Sequence, residues 1–584
     1  MNSPLPLTQA PDVVNLVIAV DGQELPGTIN LLSVEVVHQI NRIPYARLRI
    51  ADGDPAIGDF ALSSGDLFVP GGELTIQAGY HGDADDLFSG IVLKQRVVVR
   101  NSDAWLEVEC RDKAFQMTLA RHNRYFNDKK DSDVVHTLLD EYSIDGDVAP
   151  TGVEHSQLLQ FQTSDWDFLV SRLEANGQVA ALRGGALTTF KPTLDANAIA
   201  DISYGVTLLE LDAEFDARSQ CGTLQTYAWD VANQSLLSVD AAEPEWTTNG
   251  NLDTAAMTAA TGFEESGMWH GGAVSSDALQ SWADGALLRA RMAASQGRVR
   301  FQGLAAMAPG GVLQLSRVSD RYNGLVFISG VRHEFTRNDW TTDVEFGLSR
   351  TTHLERFDVD AKAAAGLLPG VRGLHIGVVT QLADDPASEF RICVKVPLAG
   401  MDEQGIWARV ATLDAGAGAG GVKRGTFFRP ETDDEVVLGF LHDDPSQPVV
   451  LGMLHSSAIP PPLDPTADNH QKTYMSRSGI QLLFDDDKKI VSLTTPGGNV
   501  LTLDDDAGGI TLEDQNGNSI KMTSDGIKLE SAKAIEFKAQ TDIKAQGTNV
   551  EVKASAAFKA GGDASAELKS SGTMIVKGAM VQIN

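Results

Sequence analysis

The stretch 508–540, GGITLEDQNGNSIKMTSDGIKLESAKAIEFKAQ, offers one apolar face after another and no second layer to cover it. Apolar residues recur as pairs one residue apart: Ile510 with Leu512, Ile520 with Met522, Ile527 with Leu529, Ile535 with Phe537 and, further on, Val550 with Val552. Residues i and i+2 of an extended strand share a face, so each pair marks a short strand with one apolar side. The spacing starts near ten residues and shortens to seven or eight after Met522. Asn516-Gly517 lies between two such pairs and predicts a type I′ hairpin turn, with φ > 0 at both central residues. The early repeats therefore read as hairpins and the later ones as single short strands in series.

A sheet must bury its apolar face against another layer. The one-strand repeats do not group in threes, as the coils of a single-chain β-helix would. If three copies of the chain each give one strand to every layer, the apolar pairs meet on a threefold axis and the polar faces point outward. The pattern predicts an intertwined trimeric β-helical needle over 478–584, with those ten pair residues as its core.

Working outward, 456–477 holds the proline-rich run SSAIPPPLDPTADNH, an extended tether. Before it, 374–455 packs five or six short strands into some 80 residues, which suits a small closed barrel. KAAAGLLPGVRG at 362–373 reads as a linker. Residues 1–120 alternate apolar and polar in short runs broken by Gly and Asp, as in a barrel or sandwich. Over 121–230 a helical insert leads into a second set of strands, and 231–361 adds a helix and further strands. One helix is capped by Ser132 and lined by Val135, Leu138, Leu139 and Tyr142. A second has a capping-box pattern at Ser164 and Asp167, a stripe of Trp166, Leu169, Val170 and Leu173, and a stop at Gly177. A third spans 277–295 with Trp282, Ala286, Leu287 and Ala290 as its stripe. At 584 residues, and roughly one domain per 150, about four domains are expected.

The chain carries 47 basic and 79 acidic residues, a net charge of −32. Such a surface repels phosphate backbones and anionic lipid, so nucleic acid is not an expected partner. No apolar run approaches the ~18 residues of a membrane span, and MNSPLPLTQAPDVV has neither the basic flank nor the apolar core of a signal peptide. Synthesis in the cytoplasm is the expectation. Cys110, Cys221 and Cys393 stand far apart and read as free or buried thiols.

Signals for chemistry are weak. GAGAGG at 416–421 matches a dinucleotide fingerprint, but it runs into strand-like sequence, and the motif works only where it opens a helix. Val422 stands where a phosphate loop would need lysine. The acidic runs at 83–86, 485–487 and 504–506 read as solvated turns. DQNGNS at 514–519 begins like a calcium loop, yet Ser519 replaces its glycine and Asp525 its glutamate. The twelve histidines show no zinc spacing, none lies beyond His470, and no serine sits in a GxSxG elbow. The expectation is a protein without catalytic, cofactor or metal residues.

Three segments carry a family resemblance. QFQTSDWDFLVSRLEANG at 160–177 resembles the hub segment of VgrG-type spike proteins, where a Trp-Asp-Phe-Leu helix lies between two barrels. FFRPETDDEVVLGFLHDDPSQPVVLGML at 427–454 is similar to the family's oligonucleotide/oligosaccharide-binding (OB) barrel, and the tail resembles its needle. The resemblance implies a mainly β chain: a hub of two β-barrel domains with a few helices, a small OB-like barrel and the needle. It further implies a homotrimeric central spike of a contractile injection machine. Such a spike caps the inner tube, contacts baseplate components and cargo effectors, and punctures an envelope when the sheath contracts. A PAAR-type tip protein is implied on the blunt end, at Met580, Val581, Gln582, Ile583 and Asn584. The amino-terminal region looks more like the spikes of extracellular injection particles than like type VI proteins. Neither an intervening lysozyme domain nor a trailing toxin domain is visible. Two rivals stay open: a trimeric tail-fibre or adhesin, and a trimeric polysaccharide-degrading enzyme.

Overall fold

A computed structural model describes residues 13–583, apart from 83, 102, 337–338 and 401–403. Three of the expectations above fall outside the described residues: the amino-terminal stretch 1–12, Asp83 of the first acidic run, and Asn584. The chain divides into two compact units, Met1–Gly370 and Val371–Asn584.

The first unit is built on one sheet of thirteen strands. Its long path runs from Leu208–Phe215 through Ser295–Gln302, Asp339–Phe346 and Gly324–Thr336 to Leu31–Gln39, and on to Tyr45–Ala51, Asp103–Arg111, Asp85–Arg100, Glu73–Gly79 and Asn15–Val20. Period-two alternation explains why these segments are strands. In Tyr45–Ala51, Ala46, Leu48 and Ile50 are buried while Arg47 and Arg49 point away, reaching Glu35 at 3.4 Å and Glu107 at 3.2 Å. Gly324–Thr336 pairs antiparallel with Leu31–Gln39, from Gly330 opposite Gln39 to Thr336 opposite Ser33. One apolar cluster lies around Val36, Leu48, Ile76 and Leu106, another around Val299, Phe301, Leu315 and Val344. The two halves of the hub thus share one hydrogen-bonded sheet while each keeps its own core.

Among the described residues five α-helices pack on this frame: α1 Asp131–Glu141, α2 Asp165–Ala175, α3 Thr254–Thr261, α4 Ser276–Met292 and α5 His353–Arg356. At the start of α2, Ser164 Oγ accepts the Asp167 N–H at 3.1 Å, and the helix buries Trp166, Phe168, Leu169, Val170 and Leu173. Asp167 meets His353 Nε2 of α5 at 2.7 Å. Gly177 ends the turn at φ 66, where a Cβ would come within 2.8 Å of the Gly285 Cα of α4. Only glycine allows that close approach of backbones.

Three details differ from the sequence expectation. Ser132 lies inside α1; Lys130 is the N-cap residue, and Asp133 reaches back to accept its N–H at 3.0 Å. The stripe of α4 is shifted by a few positions: Leu279, Ala283, Leu287 and Ala290 are buried, while Trp282 and Ala286 are only half-buried. Before α4 the segment from 231 holds an additional helix, α3, beside the strands Ser235–Asp240 and Glu265–His270, which flank Thr223–Asp230 in a small sheet. No helix among the described residues is long and apolar enough to cross a membrane.

The second unit begins with a closed five-stranded barrel, in the order His375–Gln381, Ile392–Lys395, Ile406–Val410, Pro448–Met453 and Glu435–Phe440. Val379, Ile392, Val394, Ala408, Val436, Leu438 and Val450 fill it. The glycine-rich run opens no α-helix; it forms the tip of a hairpin between Ala415–Ala417 and Lys423–Gly425. After the tether come seven strands in an antiparallel meander: Gln471–Met475, Gln481–Asp485, Ile490–Thr494, Val500–Asp504, Gly509–Glu513, Ser519–Thr523 and Gly526–Glu530. Residues 531–583 carry no strand or helix. A strand requires a hydrogen-bonded neighbour, and among the described residues these segments have none.

Candidate assembly interface

The register of the meander turns isolated pairs into continuous rows. Residues directly opposite in an antiparallel pair share a face, so cross-strand partners can be followed through the sheet. Tyr474 faces Leu482, which faces Leu493, then Leu501, Leu512, Ile520 and Leu529. Two residues along, Phe484 faces Val491, then Leu503, Ile510, Met522 and Ile527. The opposite face is largely polar, with the row Thr473, Leu483, Ser492, Thr502, Thr511, Lys521 and Lys528. None of the residues in the two apolar rows is buried, and Ile527 is 68% exposed. Burying a side chain of this size contributes about 1.5–3 kcal/mol relative to exposure. Two uncovered rows on one face are therefore a strong drive to association.

Six of the expected needle residues, Ile510, Leu512, Ile520, Met522, Ile527 and Leu529, come together in these rows. Ile535, Phe537, Val550 and Val552 do not join them; they lie in 531–583 and are exposed, Phe537 at 69%. Met580, Val581, Gln582 and Ile583 are exposed at the end of the described chain. Sequence reasoning missed Tyr474, Leu482, Phe484, Val491, Leu493, Leu501 and Leu503. The signal for most of these was present: Leu482/Phe484, Val491/Leu493 and Leu501/Leu503 have the same one-residue gap.

Turn chemistry sets the register. Ser476, Thr495 and Asp514 each begin a turn, with the N–H of Gly479, Gly498 and Gly517 donating to their carbonyl oxygens at 2.8, 2.9 and 3.1 Å. Their side-chain oxygens accept the N–H four residues on, from Ile480 at 3.1 Å, Asn499 at 3.2 Å and Asn518 at 2.9 Å. The expected type I′ turn at Asn516-Gly517 is not formed. Only Gly517 has positive φ, 81°, in a three-residue loop that closes with Asp514 N–H on the Asn518 carbonyl at 3.0 Å. This is a type I turn followed by a left-handed residue. The Asp514 carboxylate selects it by accepting from Asn518 and Asn516, contacts that hold its pKa down to about 2. Asp485, at the other edge, accepts from Gln471 Nε2 at 2.9 Å and from the Lys488 N–H at 3.0 Å. The acidic runs here thus contribute turn caps. Among the described residues no group of His, Cys, Asp or Glu is arranged to hold a metal ion.

Residues 375–455 match the type VI secretion system/phage-baseplate injector OB domain, and residues 489–584 match the phage baseplate V C-terminal trimerisation domain. A closed barrel followed by an uncovered apolar sheet, with these matches, defines a class: spike proteins of the VgrG and phage-baseplate type. Residues 10–337, more than half of the chain, match the Alg8 N-terminal domain, and the chain belongs to that family. No curated protein matches the chain. Among solved structures, it is similar to the 43 kDa tail protein of prophage MuSo2 from Shewanella oneidensis, at 9% identity over 58% of this chain and 99% of that one, with a TM-score of 0.44. It is similar to the c3393 protein of E. coli, a component of the type VI secretion system, at 12% identity over 75% of this chain and 99% of that one, TM-score 0.38. It is also similar to the Francisella PdpA-VgrG complex, at 10% identity over 89% of this chain and 80% of that one, TM-score 0.37.

Proposed function

We propose that the chain is the homotrimeric central spike and baseplate hub of a contractile injection machine. In this reading the first unit contacts baseplate components and caps the inner tube. Three chains wind together into one needle, with residues 478–584 of each chain in it. A PAAR-type tip protein sits on the blunt end at Met580–Asn584, and cargo effectors travel with the assembly. The protein does no chemistry of its own; sheath contraction supplies the work, and the spike carries the load into the target envelope. It is made in the cytoplasm and acts as part of an assembled particle.

The observation that supports this best is the pair of apolar rows left open by the chain's own fold, which from Val491 onward lie in the segment matching a trimerisation domain. Three copies that each present such a face close a core that one copy cannot close. The test is the mass of the full chain by light scattering, with gels run before and after boiling. A three-chain mass and a band that needs heat to dissociate are expected. A folded single-chain species would overturn the reading.

A further inference from the structure

The barrel bears an arm that its own core does not use. Over 412–428 the chain leaves Ile406–Val410, forms the hairpin Ala415–Ala417 with Lys423–Gly425, and returns through Phe427 and Phe428. The arm is held in shape from within, by Arg424 on Asp414 at 2.8 Å. Its base is pinned by Arg429, which donates to the Leu382 carbonyl at 2.7 Å and lies 5.4 Å from the Phe427 ring centre. Yet its large apolar side chains face outward: Leu413, Val422, Phe427 at 80% and Phe428 at 54% exposure. Side chains held this way on an ordered hairpin form a surface awaiting a partner.

The partner is indicated by what the arm touches. Phe428 meets the Tyr474 ring edge-on, with centres 4.8 Å apart. Tyr474 is the first member of the apolar row that continues through Leu482 and Leu493. Next to this contact, Arg477 pairs with Glu431 at 3.0 Å and ties the first needle turn to the barrel. The uncovered row therefore runs from the needle sheet onto the barrel arm.

We infer that the arm is a clasp laid on a neighbouring copy of the same chain, with Phe427 and Phe428 forming the barrel-side end of the interchain core. This rests on the trimeric reading above and adds to it a site outside the needle. The clasp joins each barrel to a second chain, so that an axial load on the barrels enters the needle through side-chain packing as well as through the tether.

Hydrogen exchange on the full chain tests this, with the parent compared with a Leu512→Asp/Ile520→Asp variant that opens the needle rows. In the trimeric parent the amides of 412–428 should be protected, and in the opened variant that protection should fall while the barrel strands keep theirs. Equal protection in both overturns the clasp. As a second measure, Phe427→Ser/Phe428→Ser should keep the three-chain mass but dissociate at a lower temperature on unboiled gels. An unchanged temperature counts against the clasp alone, since the trimer then stands without it. A parent chain that is itself monomeric overturns the trimeric reading and the clasp together.

Discussion

The hub and the needle are both built from strands with one apolar side, and they resolve that side in opposite ways. In the hub, strands such as Tyr45–Ala51 find cover within the chain, and Leu48, Ile50 and Leu106 are fully buried. Along 471–583 the only buried residue among those described is Asp485, a carboxylate serving a turn, while every row side chain stays open. One region completes its core by folding and the other completes it by association. Their stabilities should therefore separate, the first insensitive to protein concentration and the second governed by it.

Charging the rows is the most severe way to test that separation. Leu512→Asp with Ile520→Asp places carboxylates on neighbouring strands of one row, and threefold assembly multiplies them. Burying an unpaired charge costs several kcal/mol per ion, so the three-chain mass should be lost altogether. Hub unfolding, followed by the near-ultraviolet signal of its tryptophans, should stay where it was. A variant that remains trimeric would mean that the rows are not the interface.

The complementary change is Trp166→Ala in α2. The side chain is buried against the α1 and α2 core with Leu138 and Leu169, and truncations of this size cost about 3–5 kcal/mol. Calorimetry should show a lower hub transition while unboiled gels still show the trimer. Coupled loss of both would break the comparison.

Acid should act on the hub first. His333 is fully enclosed, its Nδ1 2.9 Å from Thr342 Oγ1, and burial, helped by His38 and Arg183, pushes its pKa down to about 3. The unfolded ring takes a proton near pH ~6.5, while the folded ring does so only near 3. The unfolded state therefore binds more protons across that window, and hub stability falls as pH drops from 6.5 toward 3. His38, buried with its pKa also lowered by burial, adds to the slope. His333→Gln should flatten part of it in thermal unfolding between pH 6.5 and 5. The needle has no histidine beyond His470, so its dissociation should be level over that interval; an equal slope in both regions would contradict the assignment.

How much of this was legible in sequence follows from which interactions are local. The α2 cap and stop at Ser164 and Gly177, and the one-residue gaps of the needle strands, depend on neighbours a few residues away and could be read directly. The joining of Leu31–Gln39 to Gly324–Thr336 depends on partners some three hundred positions apart, and no local pattern announces it. In α4 the residues Trp282 and Leu279 both fit an apolar stripe, and only the packed surface decides that Leu279 goes inward. The rows themselves required the register. That is fixed by Ser476, Thr495 and Asp514, which recur every nineteen residues, a period longer than any single strand pair reveals.

The turn at Asp514 gives the smallest and sharpest test. A type I′ turn would hold both Asn516 and Gly517 at positive φ, and alanine at either would be strained. In the observed loop Gly517 alone has φ of 81°, so Gly517→Ala should cost about 1 kcal/mol per chain. Asn516→Ala loses one exposed hydrogen bond, from Nδ2 to Asp514 at 3.2 Å, and should leave the trimer's dissociation temperature nearly unchanged. Since the threefold assembly repeats each change three times, unboiled gels along a temperature ramp can resolve the difference. Equal losses for the two variants would mean that the assembled needle adopts the two-residue turn, with Ile510 and Met522 no longer opposite one another in their row.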